Sequence, residues 1–123
     1  MQTRTLTSQP AFTTKDGSTI RELFGIAVGG SSAQSLAEAR LAPGSATERH
    51  LHALSEEIYF VLEGEGVIEI DGEEAALKAG DGVVIPPGAA HTIATAGTRE
   101  LRFLCCCVPP YTHDDTHFAP RAS

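Results

Sequence analysis

His50 and His52 stand two residues apart, Glu57 opens the apolar run that follows them, and His91 comes directly after a Pro86-Pro87-Gly88 turn and two alanines. On an extended strand residues i and i+2 share a face, so both imidazoles of the His-x-His pair project the same way. Three neutral imidazoles and one carboxylate form a donor set for a first-row transition metal, borderline nitrogens with one hard oxygen. Four protein ligands on an octahedral ion leave about two positions for water, oxygen or a substrate. The cofactor this predicts is one divalent transition metal: Fe, Mn, Ni, Zn or Cu. The plainer alternative, three hydrogen-bonded core histidines, does not account for their convergence with a glutamate on one face.

Two motifs in the same stretch resemble those of the cupin family. The first reads G, five residues, H-x-H, three or four residues, E, six residues, G. Gly44, His50, His52, Glu57 and Gly64 fit it at every position, and the count to Gly64 selects Glu57 over the adjacent Glu56. The second reads G, five residues, P-x-G, two residues, H, three residues, N; Gly80, Pro86, Gly88 and His91 match it, with Thr95 where asparagine is usual. That asparagine is not a ligand, so the departure touches only a strand-end hydrogen bond. The resemblance implies a metal held by His50, His52, Glu57 and His91 inside an antiparallel double-stranded β-helix, the jelly-roll barrel.

The elements that must position these residues are short. Thr19 to Ile26, Ser35 to Leu41, Ile58 to Leu62, Val67 to Ile70, Ala75 to Leu77, Val83 to Ile85, His91 to Thr95 and Glu100 to Val108 read as strands, separated by Gly, Pro and Asp turns. With no long amphipathic helix, the pattern is all-β, an antiparallel sandwich or barrel. Glu63-Gly64-Glu65-Gly66 and Asp71-Gly72 both read as hairpin connections. Gly29-Gly30-Ser31-Ser32 is a loop without the spacing of a phosphate cradle. The expected organisation is an arm over residues 1–14, lying on the body or on a partner, a barrel over 15–110, and a tail over 111–123. There is no internal repeat, which excludes two tandem barrels.

On the inward face the two-residue period groups Glu57, Tyr59 and Val61. Tyr59 is thus a candidate to orient substrate or donate a proton, and Arg40 a candidate to pair with a carboxylate substrate. Arg49 is expected to be exposed. Cys105, Cys106 and Cys107 are consecutive and read as free thiols in a buried strand. The same period puts the outer two on one face, and if Phe103 points into the barrel they line it too. In the tail, His113 and His117 could form a second site with Asp114 on a helical turn; a solvated pair beside a turn capped by Thr112 is the plainer reading.

A chain of 123 residues suits one domain with a real core, and a formal charge of −7 argues against nucleic acid and anionic membrane as partners. No apolar leader or membrane-length run is present, so a cytoplasmic location is expected. Lys15 and Lys78 are isolated, which disfavours sugar-phosphate isomerisation. The expectation is a metal-dependent enzyme for a small organic molecule, an oxygenase ahead of a lyase or isomerase, with a non-catalytic ligand-binding or sensor protein as the alternative. Ile58 to Leu62 is apolar on both faces, and a chain with so few helices leaves one face for a second subunit, so a homodimer is expected.

Overall fold

In the computed structural model, which describes residues 1–121, the regular elements are strands apart from one 3-10 turn at Leu6–Ser8. In chain order they are β1 (Phe12–Thr13), β2 (Thr19–Phe24), β3 (Ser35–Leu41), β4 (His50–His52), β5 (Glu56–Glu63), β6 (Glu65–Ile70), β7 (Glu73–Lys78), β8 (Gly82–Ile85), β9 (His91–Ala96), β10 (Leu101–Val108) and β11 (Thr116–Phe118). They form a six-stranded sheet in the order β1-β2-β3-β10-β5-β8 and a five-stranded sheet in the order β11-β4-β9-β6-β7. All named pairings are antiparallel, and the two sheets close face to face as the expected all-β jelly-roll barrel.

Alternation builds the interior. Val61, Ile85, Leu101 and Phe103 from one sheet and Ile68 and Ile93 from the other are fully buried. Their neighbours one residue along face outward, as the pleat requires. On β5 the burial alternates strictly, with Glu57, Tyr59 and Val61 inside and Ile58 and Phe60 outside.

One expected connection is different. Asp71-Gly72 does close a tight hairpin between β6 and β7, both residues at positive φ. Glu63 to Gly66, in contrast, is not a hairpin, because β5 and β6 belong to different sheets. Gly64 sits at φ +82° with its α-carbon pressed on the Glu100 carbonyl, and a side chain there would collide with it. The glycines allow the chain to turn a corner of the barrel against the start of β10, so a turn-like composition marked a change of sheet.

The arm lies on its own chain. Arg4 donates to the carbonyls of Leu23 and Gly29, and β1 pairs with β2. The segment Thr116–Phe118 also enters the barrel wall, since β11 pairs with β4 and sets Thr116 opposite His52.

Candidate metal centre

The fold brings the four motif residues together from three strands. His50 and His52 come from the inward face of β4, His91 starts β9 directly opposite His50, and Glu57 reaches across from β5 in the other sheet. All four are buried, and one donor atom from each lies within 4.8 Å of the others. Glu57 Oε1 is 3.3 Å from His52 Nε2 and 3.5 Å from His91 Nε2.

The outer nitrogens fix which lone pairs face the cluster. His50 Nδ1–H donates to the Glu48 carbonyl at 2.6 Å, and His91 Nδ1–H to the Ala89 carbonyl at 2.9 Å. A carbonyl can only accept, so each Nε2 presents an unprotonated lone pair inward. His52 Nδ1 is 3.2 Å from Thr116 Oγ1, whose own hydrogen goes to the Thr112 carbonyl, which makes the threonine the acceptor here too. Three histidines held in one tautomer by outer partners is the arrangement a metal site requires.

Two buried donor atoms complete the fit. Among the described residues Glu57 Oε1 and His91 Nε2 have no hydrogen-bond partner. Buried polar atoms are rarely left so, and a cation among them would satisfy both. Glu57 is also held in place, since Cys107 Sγ–H donates to its second oxygen at 3.1 Å. Burial alone would raise the Glu57 carboxyl, but the adjoining His52 and His91 rings outweigh it and hold it well below the usual carboxylate range. These four residues could therefore hold a metal ion.

A narrow cavity of about 30 Å³ opens beside the cluster. Tyr59 lines it, its ring 4.7 Å from Phe103 and 6.1 Å from His91. Burial and the nearby Glu57 charge push the Tyr59 hydroxyl well up, so it is a neutral donor. Phe103, Cys105 and Cys107 line the same space, as the strand period allowed. Arg40 does not join them. It lies on the opposite face of β3, bonded to Glu38 and Glu100. Arg49, expected to be exposed, is half-buried and clamps Glu69 at 2.7 Å. His113 and His117 are exposed and outside the cluster, and the Thr112 hydroxyl caps their turn by accepting from the Asp115 N–H at 3.2 Å. Thr95 supplies the strand-end hydrogen bonds itself, accepting from the Ser45 N–H and donating toward the Ala42 and Ser45 carbonyls.

A cupin-domain family model matches residues 37–107. The chain belongs to the cupin family. This cupin is 48% identical over 105 residues to the uncharacterized protein MJ1618 of Methanocaldococcus jannaschii, an alignment covering 85% of this chain and 84% of the other. It is 37% identical over 76 residues to the oxalate-binding protein of Thermotoga maritima, covering 62% of this chain and 63% of that protein. In structure it resembles Pac13, a nucleoside dehydratase from Streptomyces, with a TM-score of 0.78 and 15% identity over 100% of this chain and 94% of the other. At that identity the likeness speaks for the fold only.

Sequence reasoning missed three contributors. Asp16 was legible only as a turn residue, yet its Oδ2 lies 3.4 Å from His50 Nε2 at the cavity wall. Thr116, which fixes His52, carries no local signal because its partner is 64 residues away. Glu22 lines the cavity. It stands two residues after Ile20, and the period-two argument applied to β2 would have placed both inside.

Proposed function

We propose that this cupin is a metal-dependent enzyme acting on a small organic molecule in the barrel cavity, with His50, His52, Glu57 and His91 as ligands of one divalent transition metal. The observation that carries the reading is the pair of orphaned buried donors, Glu57 Oε1 and His91 Nε2, in a cluster whose histidines all turn a lone pair inward. A metal bound there supplies Lewis acidity and, when redox-active, electron transfer. The residues around it do the rest. Tyr59, neutral and buried, orients the substrate as a hydrogen-bond donor, while Phe103 and Tyr59 keep that end of the cavity dry. Oxygenase chemistry is the first expectation, because four protein ligands leave room for both substrate and oxygen.

Lyase or isomerase chemistry is favoured by a different observation. Cys105 and Cys107 line the cavity as free thiols beside the cluster, a vulnerable arrangement next to oxygen chemistry. Arg40, on the outer face, is proposed to act there as a structural partner of Glu38. That face exposes Ile58, Phe60 and Val84, and we propose that a second copy of the chain covers it. Elemental analysis of freshly purified protein, followed by turnover assays with and without oxygen, tests the functional reading. Metal in the protein and oxygen-dependent turnover support the oxygenase. Metal with oxygen-independent turnover supports the lyase or isomerase. Metal-free protein with an unchanged fold defeats both.

A further inference from the structure

Glu22 is one of the most deeply buried side chains of the molecule, 2% exposed, and it lines the cavity from β2. The backbone of Ala27 and Val28 lies beside its carboxylate and partly offsets the effect of burial, which raises the carboxyl above its ordinary value. Its Oε2 is buried and has no hydrogen-bond partner among the described residues. The carboxylate is pressed on the backbone of Gly25, where a Cβ would overlap it, so its position is set from behind. A buried carboxylate oxygen left bare is costly, and a well-packed barrel would ordinarily supply a partner.

The register shows what lies between Glu22 and the metal centre. Glu22 is opposite Ala37, Ala37 opposite Cys105, and Cys105 opposite Tyr59. All four line the cavity, with two small side chains as the floor between a carboxylate at one end and a phenol at the other. Three strand spacings separate the end residues, roughly 14 Å between α-carbons along the sheet, and the side chains at both ends shorten the gap. The charge is one-sided. Asp16 and Glu57 also line the space, and among the described residues no lysine or arginine does.

We propose that Glu22 is a substrate-recognition residue whose bare Oε2 accepts a hydrogen bond from an ammonium or hydroxyl group on a small molecule, the other end of which reaches the His50–His52–Glu57–His91 cluster. This rests on the metal-dependent reading above and narrows it. The substrate class is a donor-bearing neutral or cationic tail on a metal-binding head, and a dianion such as oxalate is disfavoured by the three carboxylates.

Four 2-hydroxy acids that differ only at the far end test this: 4-amino-2-hydroxybutanoate, 2,4-dihydroxybutanoate, 2-hydroxybutanoate and malate. Each is titrated calorimetrically into Mn(II)-loaded protein. The ammonium compound is expected to bind about tenfold more tightly than 2-hydroxybutanoate, as for a buried charge-assisted hydrogen bond, with the diol between them and malate weakest. Glu22→Gln should cut the ammonium advantage to less than about threefold while 2-hydroxybutanoate stays within about twofold of wild type. Its melting temperature and Mn(II) uptake are read first. If that variant does not fold, the wild-type ranking decides, with Glu22→Asp, which withdraws the carboxylate by one carbon, as the second variant. Malate binding as tightly as 2-hydroxybutanoate, an ammonium preference that survives Glu22→Gln, or Mn(II) uptake with no acid bound would each overturn the assignment alone. Failure of the wild-type protein to take up Mn(II) overturns the metal-centre reading and this inference with it.

Discussion

Two buried glutamates on adjacent strands of one sheet show opposite treatment. Glu38 on the outer face of β3 is 1% exposed and is enclosed by Arg40 at 3.0 Å and Arg102 at 2.8 Å, which in turn bond Glu100 and Glu63. Glu22 on the inner face of β2 is 2% exposed, and its Oε2 has no hydrogen-bond partner among the described residues. The carboxyls shift in opposite directions. Burial raises Glu22, whereas at Glu38 burial is outweighed by hydrogen bonds and charge from Arg102 and Arg40. Where a buried charge serves the fold, the sequence surrounds it with guanidinium groups; where it faces the cavity, it is left for something else to complete. On this sheet the two buried acids without an arginine partner, Glu22 and Glu57, are the two that line the cavity.

The comparison is broken most severely at the inner cluster. His91→Ala should lower metal affinity by on the order of a hundredfold or more, while His113→Ala and His117→Ala stay within about twofold. Metal content after dialysis against a competing chelator reads this directly, and equal losses in all three variants would bring the tail into the site.

On the outer face, Ile58 and Phe60 are 46% and 43% exposed beside Val84. If a second copy covers them, Phe60→Asp should weaken self-association by about tenfold or more, as expected for a buried aromatic anchor. Light scattering at micromolar concentration decides, and a monomeric wild-type protein would mean that this face is simply exposed.

Stability should follow the two glutamates. Glu38→Gln is expected to cost about 2 kcal/mol, because two guanidinium groups lose their shared charge, whereas Glu22→Gln should stay within about 1 kcal/mol or stabilise. Chemical denaturation at neutral pH reads both; a larger loss at Glu22 would reverse the comparison.

The pH dependence sharpens it. A carboxyl depressed on folding stabilises above its unfolded value and loses that contribution as the pH falls through the folded one. Glu38 is of this kind, and so is Glu69, held near 2 by Arg49 and by further hydrogen bonds from Gly72 and Arg121. Wild-type stability should therefore fall between pH 4.5 and about 2. Glu22 has the opposite sign. Its ionisation opposes folding, a cost complete above its raised folded value and absent below pH 4.5. The gap between wild type and Glu38→Gln should thus narrow in acid from wild type's advantage, and that with Glu22→Gln from its disadvantage.

The smallest effect is expected at Arg40. Arg40→Ala should leave metal content unchanged and lower the melting temperature by only a few degrees, since Arg102 still holds Glu38. Loss of metal would return Arg40 to the site.

The contrast also marks what the sequence could reveal. His50, His52, Glu57 and His91 were legible because ligand spacing is a covalent property of the chain, and strand alternation then placed Tyr59, Cys105 and Cys107 inside. The partners of Glu22, Glu38 and His52 depend on register between strands far apart in sequence. Arg40 looked like a substrate ligand because composition does not tell which face of β3 it occupies. The corner at Gly64 looked like a hairpin because glycines mark any sharp turn, and only pairing distinguishes a hairpin from a change of sheet.

The hydroxyl of Thr116 makes the far end of the sequence part of the site's wiring. The group that meets the outer nitrogen of His52 follows all four cluster residues in the chain, on β11. A chain cut after β10 would keep His50, His52, Glu57 and His91 and lose the contact that orients the His52 ring. The cluster is thus spelled out by one stretch of sequence and held in position by another.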